Sequence, residues 1–369
     1  MLKMTNIFFL HQGIGDCVMF AYALDKYYQE NESFNDNINI FIVRGQIEKE
    51  ILLLKIIENK NNIIFIINSK GKFSRYITLL KIVLILKFRY LKITNVFAPI
   101  FSGSYFNYIL IKILRPVNFF SQDEDLFKRN FNSENFLPRI ELTDLHYVDY
   151  FKLFLEKSQL IKPNSELIKT GKFSINPIKT RNEIVEVAFG IGSTLRESNK
   201  MPSIEWFINL LGFLDENLNV KFIFYGGESE HRLFQLIKNK FDHKCEFFIN
   251  SHPVQLIDRL NRADIIISGT TGPGHLASLS TTNQITLSEI TNPFESGPFK
   301  ENNYNVRAGM KCSPCYRRDQ VNGCGILSCL DLISHKKILR IIEKLVFGEP
   351  VAIEQYNFPK VQKSSSPIF

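Results

Sequence analysis

The sequence predicts an α/β protein built from two doubly wound parallel sheets in tandem. Short β-branched and aromatic runs alternate with longer helical patterns, the rhythm of parallel strands covered by helices on both faces. That rhythm stops once, in a stretch rich in Pro, Gly, Ser and Asn, and then restarts. With 369 residues and 45% hydrophobic content, the chain is long enough to bury two cores.

In the first half, "NIFFLHQ", "NINIFIV", "NIIFIIN" and "TNVFAPI" read as strands, with helical candidates beginning near Asp16, Gln46 and Phe73. A further helix, "LTDLHYVDYFKLFLEKSQL", precedes the aperiodic stretch. The second half runs "EIVEVAFG", helix "SIEWFINLLGFLDE", "VKFIFYGG", helix "SEHRLFQLIKNKF", "CEFFIN", helix "PVQLIDRLNRA", "DIIISG" and "QITLSEI". The predicted boundaries are a domain over 1–165, a linker over 166–183, a second domain over 184–345 and a tail over 346–369. Two such domains predict a cleft where the carboxyl ends of the two sheets face each other.

The formal charge of +8 is unevenly spread: between Asn61 and Gln122 there are nine lysines and arginines and no acid. Basic residues interleaved with "ITLLKIVLILKF" suit an amphipathic helix meeting an anionic surface, or the solvated face of an ordinary core helix. Nucleic acid is not expected, because no recognised nucleic-acid module accompanies the charge. The apolar run at the N-terminus is too short for a secretory leader, and the longest uncharged runs are broken by Asn, Ser, Gly or Pro. The expected location is cytoplasmic, where six cysteines favour thiols or a metal site over a disulfide framework.

Four glycine-containing junctions sit at predicted strand ends: "HQGIGD", "FGIGSTLRESNKMP", "FYGGESEHR" and "SGTTGPGHLA". A strand that turns through glycines into a helix start presents free backbone N–H groups, which suit a phosphate. Any one of them is an ordinary turn signal. Three in one domain, at equivalent ends of its strands, suggest convergence on one anionic ligand.

Taken in order, the motifs resemble glycosyltransferase family 9, the ADP-heptose:lipopolysaccharide heptosyltransferase family, whose members pair an N-terminal "GxGD" with a C-terminal "DTGPxHLA". The resemblance runs from "GIGDCVMFAYAL" through "KMPSIEWFINLL" and "GGESE" to "TTGPGHLASLS" and "NPFESGPF". It implies a GT-B fold of two Rossmann-like domains with the active site in the cleft between them. The N-terminal domain would bind the acceptor and the C-terminal one the nucleotide-sugar. Transfer would be inverting and need no catalytic metal.

Residue by residue, the resemblance gives Asp16 the place of the general base, a contribution of roughly two to four powers of ten in rate. Asp16 also precedes a helical pattern, where Asp is a favoured N-cap, and capping bonds would weaken it as a base. Thr270, Thr271, Gly272, Gly274 and His275 fall where the family holds the diphosphate. Lys200 matches a basic residue that offsets charge on the leaving nucleotide, with Ser193 and Thr194 as hydroxyl donors beside it and Arg196 as a further cation on that loop. Glu230 matches an acid that accepts from the ribose, or else it serves its own helix as a first-turn carboxylate. Thr270 stands where the family has an acid.

"CSPCYRRDQVNGCGILSC" places Cys312, Cys315, Cys324 and Cys329 in one segment. Four thiolates at such spacing wrap a tetrahedral zinc or iron and leave no open position, so a metal there would be structural. Cys17 and Cys245 read as core residues. The predicted function is transfer of a sugar, heptose first, from a nucleotide diphosphate donor to a bacterial lipopolysaccharide or related surface glycan, with peripheral contact at the inner membrane. The rivals are a protein (autotransporter) O-heptosyltransferase and a nucleotide-sugar-binding scaffold without turnover.

Overall fold

In a computed structural model the chain divides into two compact units. Unit 1 comprises Met1–Glu141, Tyr147–Lys169 and His252–Val254; unit 2 comprises Leu142–His146, Thr170–Ser251 and Gln255–Phe369. The structure describes residues 5–10, 13–30, 38–43, 45–55, 63–67, 77, 80, 81, 84, 95–98, 118–121, 146–157, 179–192 and 200–348, apart from 312, 315, 318, 319 and 322–328.

Unit 1 holds a five-stranded sheet of β1 (Thr5–Leu10), β2 (Ile38–Val43), β3 (Ile63–Ile67), β4 (Asn95–Ala98) and β5 (Asn118–Ser121), in the order β3-β2-β1-β4-β5. All pairings are parallel. Helices α1 (Ile14–Glu30), α2 (Gln46–Lys55) and α3 (Tyr147–Lys157) accompany it. Two cross-strand ladders on one face of β1 set the register. Phe8 stacks at 4.9 Å on both Phe41 and Phe97. Two residues earlier, Asn6 donates to Asn39 at 3.0 Å and accepts from Asn95 at 2.8 Å. A one-residue slip of β1 would turn both rows to the opposite face and leave buried amides unpaired.

Unit 2 holds a six-stranded sheet of β6 (Val185–Gly190), β7 (Val220–Gly226), β8 (Cys245–Ile249), β9 (Ile265–Gly269), β10 (Gln284–Leu287) and β11 (Asn303–Val306). Its order is β11-β10-β9-β6-β7-β8, and every pairing is parallel. The helices are α4 (Ile204–Asn217), α5 (His231–Phe241), α6 (Pro253–Leu260), α7 (Gly272–Ala277) and α8 (His335–Phe347). Alternate residues of the central strands, among them Val187, Phe189, Phe222, Phe224 and Ile267, share one core with Trp206, Leu210 and Leu214 of α4 and Ile338 and Ile342 of α8. This follows from the two-residue period of a strand. Ser203 starts α4 as its N-cap, accepting from the Trp206 N–H at 3.2 Å, and the Trp206 indole donates to the Ile333 carbonyl at 3.0 Å. The opposite sheet face carries charge near the strand starts, where Arg259 bridges Glu186 and Glu246, each at 2.9 Å. No helix among the described residues is long and apolar enough to cross a membrane.

Candidate functional site

In unit 2 the direction of strand addition reverses between β6 and β9, and ligands of open α/β sheets sit at the carboxyl ends of strands at such a switch. Three of the glycine-containing junctions meet this end of the sheet: Gly190–Gly192 after β6, Gly226–Gly227 after β7, and Ser268–Thr271 after β9. Thr271 is the N-cap of α7, extended at φ −129° and ψ 173°, and its side chain makes no capping bond. Its Oγ1 and the Nδ1 of His275 are both buried without a hydrogen-bond partner, and both residues are only 5% exposed. Four residues apart, they share one side of the helix. A buried polar atom left unpaired costs about 1–3 kcal/mol, so two on one side of a helix start make this turn the candidate site for a polar group.

Helix α7 lies close on the sheet because residue 274 is glycine. A Cβ there would lie 2.1 Å from the Gly269 carbonyl oxygen and 3.0 Å from Ser268 Oγ. Gln284 of β10 holds the approach, its Nε2 donating to Ser268 Oγ at 2.8 Å and to the Gly274 carbonyl at 3.0 Å. Gln284 was not a predicted site residue; a buried polar side chain in "QITL" was its only signal. Thr270 bonds through its hydroxyl to that of Thr291, so two neutral groups meet where the family has an acid.

His275 is held neutral. Burial pushes its pKa down to about 3, and His146 and Lys200 add to the shift. Lys200 therefore stands near the β9–α7 turn, and its carbonyl oxygen would be 2.9 Å from a Cβ at Gly269. His146 belongs to unit 2, where its Nε2 lies 3.0 Å from the Gly297 carbonyl oxygen and its ring 5.1 Å from that of Phe299. The sequence pattern puts His146 inside a helix; the helix begins one residue later.

Glu230 closes the one-turn 3₁₀ segment Glu228–Glu230, its Oε2 accepting from the Gly227 N–H at 2.8 Å. The same carboxyl group rests against Gly192, whose φ of +139° favours glycine and whose added Cβ would come within 2.9 Å of it. Glu230 thus serves its own turn while facing the loop that leaves β6. That loop contains Ser193, Thr194 and Arg196, which lie outside the described residues.

Asp16 is the third residue of α1, in its first turn rather than at the N-cap. The helix starts two residues before the sequence pattern suggests, because "GIG" gives no helical signal. There the carboxylate complements the helix dipole. It is half-buried where β1 passes into α1, at the β1/β4 switch of unit 1's sheet. Next to it, burial first, then Glu48 and Asp16, push the Cys17 thiol well above its ordinary pKa.

Of the clustered cysteines, Cys312, Cys315 and Cys324 lie outside the described residues. Cys329 is buried at the start of the 3₁₀ turn Cys329–Leu332 and joins the unit 2 core. The approach to Cys312 is tied down by Glu289, which is 1% exposed and accepts from the N–H groups of Ala308 and Met310, each at 2.8 Å. Ser313 donates its hydroxyl to the Glu289 carbonyl.

Residues 210–325 match the family model described as glycosyltransferase family 9 (heptosyltransferase). Over these residues the chain is similar to family 9 glycosyltransferases. No curated protein matches it in sequence. Among solved structures, the glycosyl transferase family 9 protein from Veillonella parvula superposes with a TM-score of 0.68 at 14% identity, over 94% of this chain and 98% of that one. ADP-heptose lps heptosyltransferase II of E. coli gives 0.65 at 10% identity, over 94% and 99%. The iron-containing dodecameric glycosyltransferase TibC from enterotoxigenic E. coli gives 0.51 at 12%, over 95% and 82%. At these identities the likeness is one of fold, and the fold is GT-B, with two Rossmann-like domains.

Proposed function

We propose that this glycosyltransferase moves heptose from ADP-heptose, with inversion, to a bacterial lipopolysaccharide or related surface-glycan acceptor at the cytoplasmic face of the inner membrane. The observation that carries the reading is the pair of buried, unpartnered atoms Thr271 Oγ1 and His275 Nδ1 at the β9–α7 turn, with Lys200 near it. A diphosphate supplies the acceptor oxygens that both atoms lack. The heptose and lipopolysaccharide parts rest on the family match and on the name of the E. coli enzyme that shares the fold.

Asp16 takes the proton of an acceptor hydroxyl as that oxygen attacks the anomeric carbon. The bond from that carbon to the diphosphate oxygen breaks on the opposite face, and the nucleoside diphosphate leaves with the electron pair. One displacement inverts the centre. Charge grows on the leaving oxygen as the bond breaks, and Lys200, the Thr271 hydroxyl and the α7 backbone N–H groups stabilise it. His275, neutral by burial, donates from Nδ1 as a dipole. Ser193 and Thr194 add hydroxyl donors, Glu230 accepts from the ribose, and Gly272 and Gly274 admit the diphosphate close to the backbone.

Cys312, Cys315, Cys324 and Cys329 hold a structural zinc or iron in this reading, and a buried Cys329 suits a closed four-thiolate site. The shared fold with an iron-containing glycosyltransferase is in keeping with it. A bound ion would cross-link the segment, and no chemical step passes through it.

A second reading has one observation behind it. The hydroxyl pair of Thr270 and Thr291 offers no carboxylate to the sugar, which favours a donor other than heptose. Incubating the full chain with a panel of nucleotide-sugars and core oligosaccharides, then weighing the products, separates the two. Heptose addition, abolished by Asp16→Asn, is the expected result. Transfer of another sugar selects the second reading, and no transfer from any donor overturns both.

A further inference from the structure

Ile77, Leu80, Lys81 and Leu84 are helical, and at 3.6 residues per turn they fall within an arc of about 100°. That face is open to solvent. Ile77, Leu80 and Leu84 are 40%, 58% and 40% exposed, and Lys81 is exposed beside them. An aliphatic stripe at i, i+3 and i+7 ordinarily faces a core. Here three aliphatic side chains of the stripe, with Lys81 among them, face outward.

The surrounding chain says what could cover it. From residue 61 to residue 122 there are nine basic residues and no acidic one. A second copy of the chain would bring the same acid-free, basic segment against itself. An anionic bilayer offers a diffuse negative surface over an apolar interior. Each lysine or arginine near such a surface is drawn to it, and aliphatic side chains add the gain of leaving water.

We propose that this helix face docks on an anionic phospholipid bilayer. Ile77, Leu80 and Leu84 enter the boundary between headgroups and acyl chains, and Lys81 meets lipid phosphates. The helix lies along the interface rather than across it. Docking of this kind needs neither sugar donor nor acceptor, so it stands or falls apart from the transferase reading.

Co-sedimentation of the full chain with vesicles tests it. The protein should bind phosphatidylethanolamine vesicles containing phosphatidylglycerol, release as salt rises, and ignore pure phosphatidylcholine. A Leu80→Ser, Leu84→Ser double variant, altered only at exposed positions, should bind about tenfold or more weakly with an unchanged melting curve. Lys81→Glu should weaken binding in the same direction. Equal binding to phosphatidylcholine, no binding to phosphatidylglycerol, or undiminished binding by the double variant overturns the proposal. So does a dimer of the parent, seen by size exclusion, that the double variant abolishes, because a second copy would then cover the face.

Discussion

The Glu230 carboxyl group and Gly192 are matched across two strand exits: a Cβ at Gly192 would come within 2.9 Å of the Glu230 carboxyl carbon. Gly192→Ala therefore meets a crowded neighbour and a φ of +139° at once. We predict a loss of about 1–3 kcal/mol or more in urea unfolding, the cost of a strained backbone position. Glu230→Gln keeps an oxygen for the Gly227 N–H and should fold normally while losing affinity for the nucleoside. A Gly192→Ala protein as stable as its parent would mean the exit of β6 is free to relax.

Asp16→Asn should keep donor affinity and cut turnover by about a hundredfold or more, the lower end of general-base contributions. The substitution leaves an oxygen in the first turn of α1, so the helix should persist. Near-normal turnover in the folded variant would assign Asp16 to the helix start alone.

Lys200→Ala should weaken ADP itself by roughly tenfold to a hundredfold, the worth of a charge-assisted hydrogen bond of about 1.5–3 kcal/mol. His275 should behave differently. With its pKa pushed down to about 3 it stays uncharged at neutral pH, so ADP affinity should show no step that His275→Gln removes. Calorimetric titration across the mildly acidic range checks both, and unchanged ADP binding by Lys200→Ala would show that the loop before α4 has been misassigned.

Lys300 is buried, with Nζ 3.2 Å from Ser280 Oγ and 3.4 Å from the Ala277 carbonyl oxygen. Burial lowers its pKa from 10.5 to about 7. Between those values the unfolded chain binds the proton and the folded chain does not, so stability rises with pH across that window. Below about 7 both states are charged and the whole burial cost remains, at most about 5 kcal/mol at ~1.4 kcal/mol per unit. Lys300→Met should therefore raise the melting temperature at neutral pH, with the gain fading in alkali. Ala277 keeps a partner, because Ser280 Oγ donates to it at 2.8 Å. A variant less stable at every pH would show that the ammonium is needed there.

If the four cysteines hold a metal, purified protein should carry about one zinc or iron per chain, and chelation should lower thermal stability because binding is linked to folding. Turnover per folded molecule should survive. Elemental analysis of the parent beside a Cys312→Ser, Cys315→Ser double variant reads this directly. Metal-free parent protein of full stability would dispose of the site.

Central strands such as β1 and β6 were legible because parallel strands buried on both faces are nearly continuous apolar runs. β5 and β11 were not. "NFFS" and "NYNV" are four residues each at the sheet edges, where one neighbour is missing and mixed polarity is tolerated. Helix α7 has six residues and no amphipathic period, yet its Gly-Pro-Gly start betrayed it.

The two α/β units, the glycine turns at strand ends, and Thr271 and His275 as neighbours four residues apart are all legible in the chain, since they depend on local period and turn chemistry. The fold in three dimensions makes His275 neutral, pairs Thr270 with Thr291, pins α7 to the sheet through Gln284, and brings His146 into a unit made mostly of residues after Thr170. It also decided that the stripe of Ile77, Leu80 and Leu84 faces outward. The reason is physical: burial and long-range partners set desolvation, and desolvation sets charge state and exposure, none of which is a property of neighbouring residues in the chain.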